Sequence, residues 1–226
     1  VRPRGTPRIL ASDYWRNISP ILSRLPHGEL MLFDRGEALK AGFLNMWRYR
    51  MRLYNFGSFS IRSWRHKRRE TQNMFGKRWH DLRGSGLPEC SLDGVSLRPI
   101  LLGILDDLIL HETPKTLRSI DGAYELLAAL KPNIVFLRTS FSSQSHFYIL
   151  ALTARALDIP SLELQHGLEY LGPGSISKNH TAEYVAVYGK IVQDEFVALG
   201  FPRETFPIVG SPRFAAYKEK SSLTQS

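Results

Sequence analysis

Short apolar runs alternate with amphipathic stretches along most of this chain. The runs at 8–11, 30–33, 134–137, 162–164 and 184–188 are too short for helices and are bounded by polar or turn residues, which predicts strands. Helical spacing between them predicts helices over 18–25, 37–54, 60–79, 99–110, 116–130 and 147–157. Pro20 is expected in the first turn of the first helix. Leu39, Phe43, Met46, Trp47, Arg50 and Tyr54 fall near one face of the second; Ile61, Trp64, Thr71, Phe75 and Trp79 mark the inner face of the third. The stretch 99–110 reads as a buried helix or helix pair, and 83–94 as loop. From 116 to 189 the order is helix, strand, helix, strand, loop, strand. Such alternation implies parallel strands joined by crossovers, hence an α/β, Rossmann-like sheet with helices on both faces.

Charge divides the chain. Residues 1–80 hold 17 Lys and Arg against 5 Asp and Glu; residues 81–226 hold 13 against 16. A basic, aromatic-rich first third on a nearly neutral body suggests an anionic partner. Lipid headgroups, a pyrophosphate-bearing substrate and nucleic acid all qualify, and a merely solvated basic face at 60–79 is the plain alternative. The single cysteine, Cys90, excludes a disulfide within the chain and a zinc site built on cysteines. No uninterrupted apolar stretch is long enough to cross a bilayer; the best candidate, 100–110, is broken by Asp106 and Asp107. GxGxxG, P-loop, HExxH and GxSxG motifs are absent, which removes the familiar dinucleotide, NTPase, zinc-protease and serine-hydrolase routes.

Candidate chemistry gathers where strands end, since ligands of open α/β sheets sit at the carboxyl ends of strands. The 134–137 strand runs into Arg138-Thr139-Ser140-Phe141-Ser142-Ser143-Gln144, ahead of a helix. Hydroxyls at a helix N-terminus can hold a phosphate, carboxylate or sugar, or can simply cap the helix. The 162–164 strand delivers Gln165, His166 and Gly167. His166 is the candidate base, because a histidine near neutral pKa can take a proton from a hydroxyl nucleophile; the alternative is a structural histidine between loops. Glu163 shares a strand face with Gln165 and could orient His166 or bind substrate. Segment 170–180 could cover a cleft or be a plain turn. Arg213, in Gly210-Ser211-Pro212-Arg213, could bind phosphate or form an ion pair.

Three segments in order, IPSLELQHG (159–167), AEYVAVYGKIVQDEFVALGF (182–201) and IVGSPRF (208–214), resemble the inter-domain region of GT-B glycosyltransferases. The likeness is to enzymes of bacterial surface polysaccharide assembly, of the capsule and lipopolysaccharide kind, and to poly(glycerophosphate) transferases. It covers 130–214 well and 1–130 only by order of elements. It implies that residues 1–214 form the N-terminal, acceptor-side half of a GT-B architecture, with a basic helical region at about 37–80, and that 215–226 is a linker or frayed end. His166 would be the catalytic base. Gln165, Gly167, Ser140, Ser142, Ser143 and Gln144 would shape the acceptor pocket, and Arg213 would sit at the hinge.

The resemblance further implies a glycan or lipid-linked acceptor and a nucleotide-activated sugar or polyol phosphate as donor. The donor would be held by a C-terminal domain absent from these 226 residues, so this chain alone is expected to be inactive and to bind nucleotide sugars weakly or not at all. No metal or other cofactor is expected. The implied location is the cytoplasm, at the inner face of the membrane, with residues 48–78 against anionic lipid. Two alternatives stand beside this reading: half of a sugar-nucleotide epimerase, which shares the architecture, and a non-catalytic module for anionic lipid or nucleic acid.

Overall fold

Five of the apolar runs come together with one strand the pattern missed. In the computed structural model, which describes residues 7–22, 29–32, 35–53, 64–86, 88–140, 145–165 and 179–211, they form one six-stranded sheet. Its strands are β1 (Arg8–Ser12), β2 (Glu29–Leu32), β3 (Arg52–Leu53), β6 (Ile134–Leu137), β7 (Ser161–Leu164) and β8 (Tyr184–Ala186), in the order β3-β2-β1-β6-β7-β8. Every neighbouring pair is parallel. A lone parallel bridge from Val187 to Ile208 extends the edge beyond β8. The fold class is thus the expected one.

Alternation within the strands explains the layers. Leu10, Val135 and Leu137 face one side and pack with Leu126, Leu127 and Leu130 of α5 (Thr113–Leu130) and Phe147, Leu150 and Ala154 of α6 (Ser145–Ala156). Ile9, Ala11, Phe136 and Leu164 face the other side, against Ile18 of α1 (Trp15–Leu22) and Tyr49 and Met51 beyond α2 (Arg35–Arg48). Strands covered on both faces read as continuous apolar runs, which is why these were legible. Asn133 clasps the start of β1: its N–H donates to Arg8 O, and its Oδ1 accepts from Arg8 N, both at 2.8 Å. A third cluster, Val185, Val187, Phe196 and Phe206, closes the β8 edge beneath α7 (Lys190–Ala198).

Helix ends follow recognisable chemistry. After α7, Gly200 takes φ 92°, its N–H donates to Val197 O, and Phe201 N–H donates to Phe196 O. That is the Schellman pattern with glycine in the left-handed position. Residues Arg50 and Asp158 end their helices with the same pattern at φ 47° and 53°. No glycine marked those stops, so the second helix was read through to 54 when it ends at Arg48 and yields to β3.

Five local readings need correction. Helix α1 begins at Trp15, so Pro20 lies inside it and not in its first turn. Helix α2 breaks at Gly42 (φ 75°, ψ 158°), and Phe43 and Trp47, read as an inner face, are exposed. In α3 (Trp64–Ser85) Trp79 is buried as expected, but Phe75 is not. The 83–94 loop is partly helix and partly a hairpin, β4 (Ser91–Leu92) and β5 (Val95–Ser96), turned by Asp93-Gly94 with both φ positive. The stretch read as buried helix becomes α4 (Arg98–Asp106), and none of its residues is buried. It runs through a π-helical segment, Asp107–Glu112, straight into α5. Its apolar content reflects an exposed face, which periodicity cannot distinguish from a core face.

Candidate functional site

The strand order has one switch point. The chain leaves β1 toward β2 and β3, then returns to add β6, β7 and β8 on the other side, so the direction of winding reverses between β1 and β6. At such a switch point the connections splay apart and open a cleft outside the carboxyl ends. The residues that follow these two strands are Asp13-Tyr14 and Arg138-Thr139-Ser140. They are held level by Arg138 N–H donating to Ser12 O at 2.8 Å.

Positive charge converges here on one aromatic ring. The Arg138 guanidinium carbon lies 4.9 Å from the centre of the Tyr14 ring and 5.0 Å from that of Phe147. Arg16 stands 5.0 Å from the Tyr14 ring, and the Lys40 ammonium 6.0 Å. A cation over an aromatic face is attracted by the ring quadrupole. A guanidinium held between two rings also loses little further freedom when its planar fork meets a phosphate or carboxylate. Asp13 balances part of this charge and organises α1: its Oδ1 accepts from Tyr14 N–H at 2.5 Å and from Asn17 Nδ2 at 3.0 Å.

The next strand ends are built differently. Ser140 is fully buried. Its N–H and Oγ both donate to Glu163 Oε2, at 2.7 and 2.5 Å. Thr181 N–H donates to Ser140 Oγ at 3.0 Å, and Thr181 Oγ1 donates to Ser140 O at 2.9 Å. Arg155 Nη2 reaches Thr181 O at 2.8 Å. Gln165 is also buried: its N–H donates to Ala186 O at 3.0 Å, and its Oε1 accepts from Tyr188 N–H at 2.7 Å. Ser140, Glu163 and Gln165 therefore tie β6, β7 and the entry and exit of β8 into one wall beside the crevice. Of the other expected site residues, His166, Gly167, Ser142, Ser143, Gln144 and Arg213 lie outside the described residues.

A second histidine sits close by in sequence but in other surroundings. The His180 ring lies 4.9 Å from Phe201, 5.1 Å from Phe206 and 5.9 Å from Phe196, centre to centre. Burial holds its pKa below the usual histidine value, and the Arg155 charge pushes the same way. The Ala182 backbone opposes the shift without reaching a standard hydrogen bond. His180 is a neutral member of an aromatic cluster.

Two other features lack the chemistry of a polar site. Asp106 accepts from Trp79 Nε1 at 2.8 Å and pairs with Arg83, which accounts for half of the Asp106-Asp107 pair as structure. Among the described residues no group of three or more His, Cys, Asp or Glu could hold a metal. A groove of about 460 Å³ opens between α5 and α6, lined by Ile120, Tyr124, Ile149 and Leu152 with Thr116 and Thr153, and it contains no carboxylate, lysine or arginine.

Sequence reasoning missed Tyr14, Arg16 and Lys40, and saw Arg138 only as the first residue of a hydroxyl-rich loop. Arg138 was findable as the residue leaving a buried strand. The others were not, because their meeting depends on which strand neighbours β1.

No protein-family model matches the chain, and no curated protein sequence matches it. Solved structures do. The UDP-GlcNAc 2-epimerase of Neisseria meningitidis bound to UDP-GlcNAc superposes with a TM-score of 0.50 at 11% identity, over 96% of this chain and 51% of that one. The UDP-GlcNAc 2-epimerase of Methanocaldococcus jannaschii gives 0.49 at 12% identity, over 91% and 45%. That of Rickettsia bellii gives 0.47 at 13%, over 95% and 48%. The chain spans about half the length of these enzymes. The first likeness establishes the fold: this is a Rossmann-like α/β unit of the kind that makes up half of a GT-B-like architecture. Among the described residues no helix is long and apolar enough to cross a membrane.

Proposed function

We propose that this chain is the acceptor-side half of a GT-B-type enzyme that transfers a sugar, or a polyol phosphate, from a nucleotide-activated donor to a glycan or lipid-linked acceptor. The observation that carries this reading is the convergence of Arg138, Arg16 and Lys40 on Tyr14 at the switch-point crevice. Three cations at the carboxyl edge suit an acceptor that bears phosphate, as a lipid-linked glycan does. His166 follows the wall residue Gln165 directly in sequence and is the proposed base, taking the proton of the acceptor hydroxyl as the donor phosphate leaves. The donor would bind mainly in a second domain.

The epimerase reading has one specific support, the fold shared with UDP-GlcNAc 2-epimerases over 96% of this chain. Against it stands the use of Glu163, whose Oε2 accepts two hydrogen bonds from Ser140 in a buried setting. A carboxylate held so is an architectural element, whereas epimerisation by proton exchange needs acid and base groups facing the sugar.

The two readings part in one assay on the protein carrying both halves. A transferase releases nucleotide from a sugar nucleotide only when acceptor is present; an epimerase interconverts the sugar nucleotide without acceptor. Under the transferase reading His166→Ala abolishes turnover while the fold persists, and Arg138→Gln raises KM for a phosphate-bearing acceptor. Acceptor-independent interconversion, or unchanged turnover in His166→Ala, would overturn it.

A further inference from the structure

The second half of α2 carries three large apolar side chains that are open to solvent. Phe43 is 83% exposed, and Leu44 and Trp47 are each 79% exposed. Beyond the break at Gly42 these positions lie on one side of the helix, since residues three and four apart are neighbours. The helix end is anchored on the other side: Tyr49 and Met51 pack into the core cluster that also holds Trp15. Arg48, Arg50 and Arg52 follow and are exposed.

Charge around the patch is of one sign. The 32 residues between Glu37 and Glu70 contain nine Lys and Arg and no acid. Another apolar surface, Ile100, Ile104 and Leu108, contains Asp106 and Asp107 in the same stretch and lacks this character. A second copy of the same basic face would repel the first. A patch of Phe, Leu and Trp beside arginines matches the boundary of an anionic bilayer, where aromatic rings sit at headgroup depth and guanidinium groups meet lipid phosphates.

The geometry points to Phe43, Leu44 and Trp47 as a wedge that seats this domain on anionic lipid, with Arg48, Arg50 and Arg52 pairing to the headgroups. This inference does not depend on the catalytic reading.

The test is co-sedimentation of the purified protein with phosphatidylcholine vesicles made with and without phosphatidylglycerol. Binding is expected only with phosphatidylglycerol, and it should weaken as salt rises. The combined Phe43→Ser, Leu44→Ser and Trp47→Ser variant should lose binding with an unchanged thermal melt. Arg48→Gln with Arg50→Gln should weaken it about thirtyfold, at roughly a fivefold loss per cation. Trp47→Phe should still bind but lose the blue shift of tryptophan emission on adding vesicles. No binding to either vesicle, or binding indifferent to the triple serine variant, would overturn the inference. So would a dimer that the triple variant turns into monomer, because that result assigns the face to a second copy.

Discussion

Two stretches of the same sheet edge use polar residues in opposite ways. At the ends of β6, β7 and β8, Ser140, Thr181, Glu163 and Gln165 are buried and hydrogen-bonded to one another or to backbone. At the ends of β1 and β6, Arg16, Lys40 and Arg138 stand around an aromatic ring. The first group is architecture: removing a partner strands a buried polar atom, which is costly. The second gathers positive charge on one ring, where an anion would be attracted. Hydroxyl-rich loops attract attention in a sequence, yet here the described hydroxyls build the wall and the cations gather on the Tyr14 ring.

The sharpest way to break this contrast is at Ser140. Ser140→Ala removes the shorter of the two bonds to the buried Glu163 carboxylate and the acceptor of Thr181 N–H. It should cost about 2–3 kcal/mol in urea unfolding. A loss below about 0.5 kcal/mol would mean that the wall is not under load. Arg138→Gln should be read on binding instead: it removes the guanidinium that meets Tyr14 and Phe147 and should weaken capture of inorganic pyrophosphate, measured by calorimetry at low salt.

A smaller effect should appear with pH. The folded-state pKa of His180 is lowered, mainly by burial. The unfolded chain therefore takes its proton first as pH falls, so the stability from neutral His180 is full above about pH 6.5 and is lost progressively below it. His180→Phe should flatten this acid slope in thermal melts; an unchanged slope would place its cause elsewhere. Least of all, Arg83→Ala should cost under about 1 kcal/mol, since the Arg83–Asp106 pair is half exposed and screened by solvent.

The apolar runs alone determined the α/β class and located five strands to within a residue or two, because strands covered on both faces are mostly apolar on both. They also located the α5–β6–α6–β7 succession, where helix and strand periods are clean. Faces were decided elsewhere. Phe43, Trp47 and the α4 stretch have the spacing of core helices but are exposed, for burial depends on whether another element arrives to cover them. The meeting of Tyr14, Arg16, Lys40 and Arg138 was likewise invisible along the chain, since β6 reaches β1 only after more than 120 intervening residues have gone to the other half of the sheet and its helices. Local pattern sets what each segment can be; strand order, a property of the whole chain, sets which side chains meet.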